Sequence, residues 1–169
     1  DFHSVKKEDL PLLDRWLLSR WNSLVSSVTK SLDEYDATTA SREIEKFVID
    51  DFSNWWIRRS RSSFQQLASS CQPELLRFIL LELSKLIAPF APFLAEHIYR
   101  EISQIGPISI HLHDWPKADK KLIDEKLEKD MEFVRKIVSL GLAARRDAGI
   151  KVRQPLSKLE FRTQNLEFS

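Results

Sequence analysis

The residues with chemical reach in this sequence are its arginines. Arg58, Arg59 and Arg61 fall within four positions at the end of the run Asp50-Asp51-Phe52-Ser53-Asn54-Trp55-Trp56-Ile57-Arg58-Arg59-Ser60-Arg61. A guanidinium is a planar fork of donors that meets phosphate oxygens two at a time, so a free cluster of them suits a polyanion. A second basic group, Arg145, Arg146, Lys151 and Arg153, surrounds Gly149. Both groups sit where a helix is expected to end. Cations there are also favoured by the helix macrodipole, so each has a structural reading beside the phosphate one. At about 100° per residue, Asp51, Asn54 and Arg58 share one helical strip beside Ile44, Phe47, Val48 and Trp55. That strip predicts a buried Asp51–Arg58 ion pair that fixes the helix register, with Arg59 and Arg61 left solvated.

Other chemistries find little here. Three scattered glycines cannot build a phosphate-binding loop. His111 and His113 are the nearest approach to a metal pair. Zinc needs more ligands at close intervals, so no metal site is expected and loop hydrogen bonding is their predicted role. His97 lies beside Leu94 and Ile98 as a partly buried side chain. Cys71 is the single cysteine, which excludes an internal disulfide and favours a reducing, cytoplasmic home. Nothing marks it as a nucleophile, and the acidic residues read as a solvated face, so no catalytic residue is assigned. No apolar run approaches the length of a membrane span. With 26 basic and 25 acidic residues, the net charge of +1 argues against a uniformly basic polyanion binder and leaves local patches open. On residue spacing alone, nucleic-acid binding stands level with a non-enzymatic helical interaction module. The latter would present the Trp16/Trp21 surface or a long fifth helix to a protein.

The elements that must position these residues are helical. Glycine is scarce, proline-free stretches are long, and apolar residues recur at intervals of three and four, which predicts an all-α, up-and-down bundle. The first helix runs from Pro11 to Tyr35 on a stripe of Leu13, Leu17, Trp21, Leu24 and Val28. Arg15, Ser19, Asn22, Ser23, Ser26, Ser27 and Lys30 form its polar side. Asp36 caps a second helix reaching Arg61. A polar break from Ser62 to Gln72 precedes a third helix, Pro73 to Ala88, which is apolar nearly all round and so belongs at the centre. Pro89 and Pro92 punctuate the start of a fourth, Pro92 to Ser103. Ile108, Ile110 and Leu112 alternate with polar residues, as in a short extended segment. A long fifth helix from Ala118 to Ala148 carries Ile123, Leu127, Met131, Val134 and Val138, and Gly149-Ile150 reads as a glycine stop with its apolar partner. Leu159 and Phe161 suggest a strand opening. The organisation expected is a lead-in at 1–9, a four-helix bundle at 10–103, a linker at 104–118, a long helix at 119–149 and the start of a further region at 150–169. The absence of an initiator Met and the ending inside an apparent strand suggest a piece of a longer protein.

Several runs resemble the anticodon-binding domain of class I aminoacyl-tRNA synthetases. They are Leu13-Asp14-Arg15-Trp16-Leu17-Leu18-Ser19-Arg20, Ala88-Pro89-Phe90-Ala91-Pro92-Phe93-Leu94-Ala95-Glu96 and Ser109-Ile110-His111-Leu112-His113-Asp114-Trp115-Pro116. Two more, Ser53-Asn54-Trp55-Trp56-Ile57-Arg58-Arg59-Ser60-Arg61 and Gly149-Ile150-Lys151-Val152-Arg153-Gln154-Pro155-Leu156, are similar to the isoleucine enzymes, with Trp56 where a tyrosine is expected. The same domain of a valine–tRNA ligase is the nearest alternative. The resemblance implies a tRNA(Ile)-binding domain, expected as a monomer, whose parent carries upstream catalytic and editing domains and uses ATP and magnesium to attach isoleucine. This piece would need no cofactor and would be inactive alone. The implied RNA contacts are Arg15, Arg20, Lys30, Arg58, Arg59, Arg61, Arg145, Arg146, Lys151 and Arg153. In an up-and-down bundle the arginine run lies at the catalytic end, facing the inner tRNA body. The turn between the first two helices, with Lys30, Arg42 and Lys46, lies at the far end, toward the anticodon stem-loop.

Overall fold

A computed structural model describes residues 10–64, 72–103 and 106–160; the lead-in, Cys71 and Phe161 lie outside them. Among the described residues six α-helices follow one another: α1 (Leu12–Asp33), α2 (Ala37–Lys46), α3 (Arg58–Phe64), α4 (Gln72–Ile87), α5 (Pro92–Ile102) and α6 (Glu125–Asp147). A π-helical segment, Phe47–Ile57, joins α2 to α3, and two 3₁₀ turns, Ile110–Leu112 and Lys120–Leu122, lie between α5 and α6. No strand occurs among the described residues.

The chain forms two compact units, residues 1–125 and 126–169. In the first, α1 buries Trp16, Leu17, Trp21, Leu24, Val25 and Val28 against Phe47, Phe52 and Trp56 and against Leu75, Ile79 and Leu86 of α4. Asp36 caps α2 by accepting a hydrogen bond from the Thr39 amide. α1 ends with the Asp36 amide donating to the Ser31 carbonyl and the Tyr35 amide to that of Leu32, a Schellman pattern that forces Tyr35 to φ +60°. α4 exposes only Glu74 and Arg77, as a central helix should.

The π-helical segment is the main departure from the sequence reading. In a helix bonded i→i+5, residues five apart stand one above the other. Phe47 and Phe52 accordingly stack at 6.3 Å with ring planes 7° apart, and Phe52 stacks on Trp56 at 5.8 Å. The wider turn breaks the expected Asp51–Asn54–Arg58 strip. Asp51 is buried, but its partner is Arg20 of α1, with Nε 3.0 Å from Oδ2, while Asn54 and Arg58 are exposed. Phe52 and Trp56, rather than Trp55, complete the core beside Phe47.

The stretch after α5 packs against the bundle instead of extending. Glu96 accepts from the Ser109 hydroxyl and the Ile110 amide, and that bonding selects a 3₁₀ turn where alternation predicts a strand. Ile110 is buried with Ala95 and Tyr99. Gly106 sits at φ +151°, and a Cβ there would lie 2.7 Å from the Tyr99 hydroxyl. Trp115 donates to Thr29 Oγ1 at 2.9 Å. Two residues expected on the wet side of α1 are buried beneath the residues that lead into α6: Asn22 Oδ1 accepts from the Asp119 amide and Ser19 Oγ from the Asp124 amide. The last long helix therefore starts at Glu125: the amides of Asp119 and Asp124 go to α1, that of Lys121 to the Asp119 carboxylate, and those of Leu122 and Ile123 to the carbonyls of Asp119 and Lys120 in the 3₁₀ turn.

In the second unit α6 ends at Gly149 (φ +67°) as the sequence predicts: the Ile150 amide donates to the Arg145 carbonyl and the Gly149 amide to that of Arg146. Leu159 is exposed and belongs to no strand.

Candidate nucleic-acid interface

The short motifs that stand out in the sequence are largely joined to one another. Trp56 Nε1 donates to Asp14 Oδ1 at 2.6 Å, and Gln72 Nε2 reaches the same oxygen at 3.4 Å. This ties the start of α1 to the end of the π-helical segment, so the arginine run lies at the end of the bundle where α1 begins. Burial raises the Asp14 carboxyl above its ordinary range, and the bonds from Trp56 and then Gln72 draw it back down. At the other join, Glu96 is held below its usual range, first by the Ile110 amide, then by Ser109 and Arg100. Tyr99 donates to the Pro107 carbonyl at 2.7 Å, so His113 Nε2, 2.9 Å from that hydroxyl, must carry the proton of the neutral ring. Desolvation, then the nearby Lys85 charge, lowers the His113 pKa. His113 is thus engaged in the fold, while His111 is exposed.

Against this stitching the cations divide. Arg20 is engaged by Asp51, and Arg15 lies 4.0 Å from Asp124. Lys30 is 4.0 Å from Glu34. The neighbouring turn exposes Asp33, Glu34 and Asp36, making the tip of the bundle acidic. Arg42 and Lys46 are exposed four residues apart on α2, and hence on one face. In the second unit Arg145 Nη1 donates to the Lys151 and Gln154 carbonyls at 3.2 and 2.8 Å, which secures the turn after α6. Arg146 lies 3.6 Å from Asp147, and Lys151 and Arg153 are exposed.

Arg58, Arg59 and Arg61 remain exposed together at the start of α3. Arg59 has a feature the sequence reading missed: its guanidinium carbon lies 3.2 Å from the centroid of the Trp55 ring, and its Nη1 donates to the Trp55 carbonyl at 3.3 Å. Spacing of four across a helical turn was the available signal. The surface presents three guanidinium groups, one pre-stacked on an indole, which suits phosphate oxygens and planar bases.

Comparison with known proteins agrees. The family model described as the anticodon-binding domain of tRNA ligase matches residues 14–160. The isoleucine–tRNA ligase of Dehalococcoides mccartyi (strain CBDB1) is 45% identical over 159 residues, covering 89% of this chain and 16% of the relative. That of Streptomyces coelicolor is 42% identical over 154 residues, covering 89% and 14%. That of Thermococcus kodakarensis is 40% identical over 171 residues, covering 95% and 16%. The chain therefore spans about a sixth of the length of these relatives. By the extent of the family match, with the exposed arginine run on a helical bundle, this chain belongs to the anticodon-binding domain family of tRNA ligases.

Proposed function

We propose that this chain binds tRNA(Ile) and positions it for attachment of isoleucine by a catalytic region elsewhere in a parent isoleucine–tRNA ligase. The parent's reaction would draw on ATP and magnesium. The chain itself forms no adenylate, acts as a monomer and works in the cytoplasm. The observation that carries this reading is the exposed Arg58/Arg59/Arg61 surface on a bundle of this family. Arginines contact phosphates and set the register of the RNA, while unpaired bases supply identity. The arginine run meets the inner body of the tRNA. Toward the anticodon stem-loop, Arg42 and Lys46 serve better than the acidic turn at Asp33–Asp36, where phosphate would be repelled.

The test is binding of tRNA(Ile) to the chain across a salt series. Phosphate neutralisation makes log affinity fall linearly with log salt, with a slope near −0.9 per contact on a duplex. A steep slope supports the reading. Affinity independent of salt, or absent at low salt, refutes it and favours a protein-binding module.

A further inference from the structure

We propose that the π-helical segment sets the phase of one RNA-facing strip, bringing Arg58 into line with Arg42 and Asn54 so that a single paired RNA stem lies along the helix and meets both arginines. This rests on the RNA-binding reading of the chain. Phe47, Phe52 and Trp56 stack in one column. The helix therefore turns twice between Phe47 and Trp56, about 80° per residue where an α-helix advances about 100°. Measured from Phe47, a uniform α pitch would turn Arg58 to about 20°, into the core, and Ser60 to about 220°, toward solvent. The structure has them the other way round: Ser60 is 1% exposed, and Arg58 is exposed. At the wider pitch Ser60 joins the side of Ala40, Ile44, Phe47 and Trp56, all buried, and Arg58 stands opposite.

Arg42, Asn54 and Arg58 then lie within about 40° of one another on the face turned away from the core, whereas α pitch throughout would leave the two arginines about 160° apart. All three are exposed. Neither arginine makes an ion pair among the described residues. Lys46 lies about 40° to one side of Arg42, and the carboxylate of Glu45 about 60° to the other. From Arg42 to Arg58 the strip runs no more than about 24 Å at 1.5 Å per residue. At about 3.4 Å between phosphates along a strand of a double helix, that length passes roughly seven of them. Arg42, Asn54 and Arg58 carry no aromatic ring, and readers of single strands rely on aromatic stacking. Two arginines set apart on a stiff rod match phosphates held apart by base pairing, and the Asn54 amide between them suits a ribose hydroxyl, through which paired RNA is recognised.

The test uses two RNA stems, of about 14 and about 4 base pairs, each closed by the same uncharged ethylene-glycol linker; at about 3.4 Å per pair only the longer one spans the strip. Binding is measured by filter retention over a salt series, and thermal melts establish that each variant is folded. On the long stem Arg42→Gln and Arg58→Gln should each lower affinity about eightfold at 0.1 M salt and reduce the salt slope by one contact, with the double variant losing both. Asn54→Arg should strengthen binding and add one contact. On the short stem the arginines cannot act together, so either single variant should cost no more than about twofold. If Arg42→Gln binds the long stem as the unsubstituted chain does, or if each single variant costs as much on the short stem as on the long one, the two arginines do not hold one stem and the strip is refuted. Binding of tRNA without binding of the long stem also refutes the strip and leaves the RNA-binding reading standing. If the unsubstituted chain binds neither stem nor tRNA, that reading has itself failed and the strip falls with it.

Discussion

Trp56 and Asp14, 42 positions apart in sequence, meet through a buried hydrogen bond of 2.6 Å. Removing the acceptor leaves the indole N–H and the Gln72 amide facing apolar surroundings. Asp14→Ala should cost about 1–3 kcal/mol, the penalty for a stranded buried donor, read as a lower urea midpoint. Because burial holds the Asp14 pKa above 3.8, the folded chain keeps this proton at pH values where the unfolded chain has released it. Its contribution to stability is complete below the unfolded value and is lost as pH rises through the folded one. Asp14→Asn has no proton to release. Its stability relative to the unsubstituted chain should improve across that acidic window and stay level above it.

The ion pair between Arg20 and Asp51 is asymmetric, with side chains 31% and 3% exposed. Arg20→Ala takes the cation from a carboxylate that water barely reaches, whereas Asp51→Ala leaves a guanidinium that can turn outward. Arg20→Ala should cost about 3 kcal/mol, and Asp51→Ala about half of that after discounting for solvent screening. Denaturant melts that rank them the other way would refute this account.

Arg58→Ala and Arg61→Ala concern exposed side chains and should change stability by less than about 0.5 kcal/mol each. Each should weaken tRNA binding and lower the salt slope by roughly one contact. Variants that bind tRNA undiminished at low salt would show that this run is merely the cationic flank of a helix.

His113 is held below its ordinary value of 6.5 by desolvation and by Lys85. Below that value the unfolded chain takes up a proton that the folded chain resists, so stability should fall as pH drops through 6.5 toward the folded value. His113→Gln keeps a donor for the Tyr99 hydroxyl and should remove this dependence. Thermal melts between neutral and mildly acid pH decide it.

Long-period features were legible in the sequence. Apolar residues three and four apart identify the buried faces of α1 and α4, and Asp36 and Gly149 mark helix ends through cap chemistry that depends on one or two residues. The π-helical segment was hidden because a phase calculation assumes a single pitch. Phe47, Phe52 and Trp56, five and then four apart, fit the wide turn, but equally pass for an irregular α-helical stripe. Ser19 and Asn22 were misread because a polar side chain facing water and one facing a loop amide have the same sequence pattern. At the site, the arginine cluster was visible by type. The division of labour among cations was not, since Arg20, Arg145 and Lys30 differ from Arg58 and Arg61 only in what the fold brings beside them.

The two bonds from Ser19 and Asn22 to the amides of Asp124 and Asp119 span 105 and 97 positions. They close very long loops in the first unit, and closing a long loop loses entropy before its contacts give any return. The helical hairpin of α1 and α2 needs neither of them. The strap from Asp119 to Asp124 should consequently seat last, after the folding barrier has been crossed. Ser19→Ala and Asn22→Ala should leave the refolding rate nearly unchanged and speed unfolding by the whole of whatever stability they remove. The strap would then behave as a latch on an already folded bundle, setting how long the native state lasts instead of how fast it is reached.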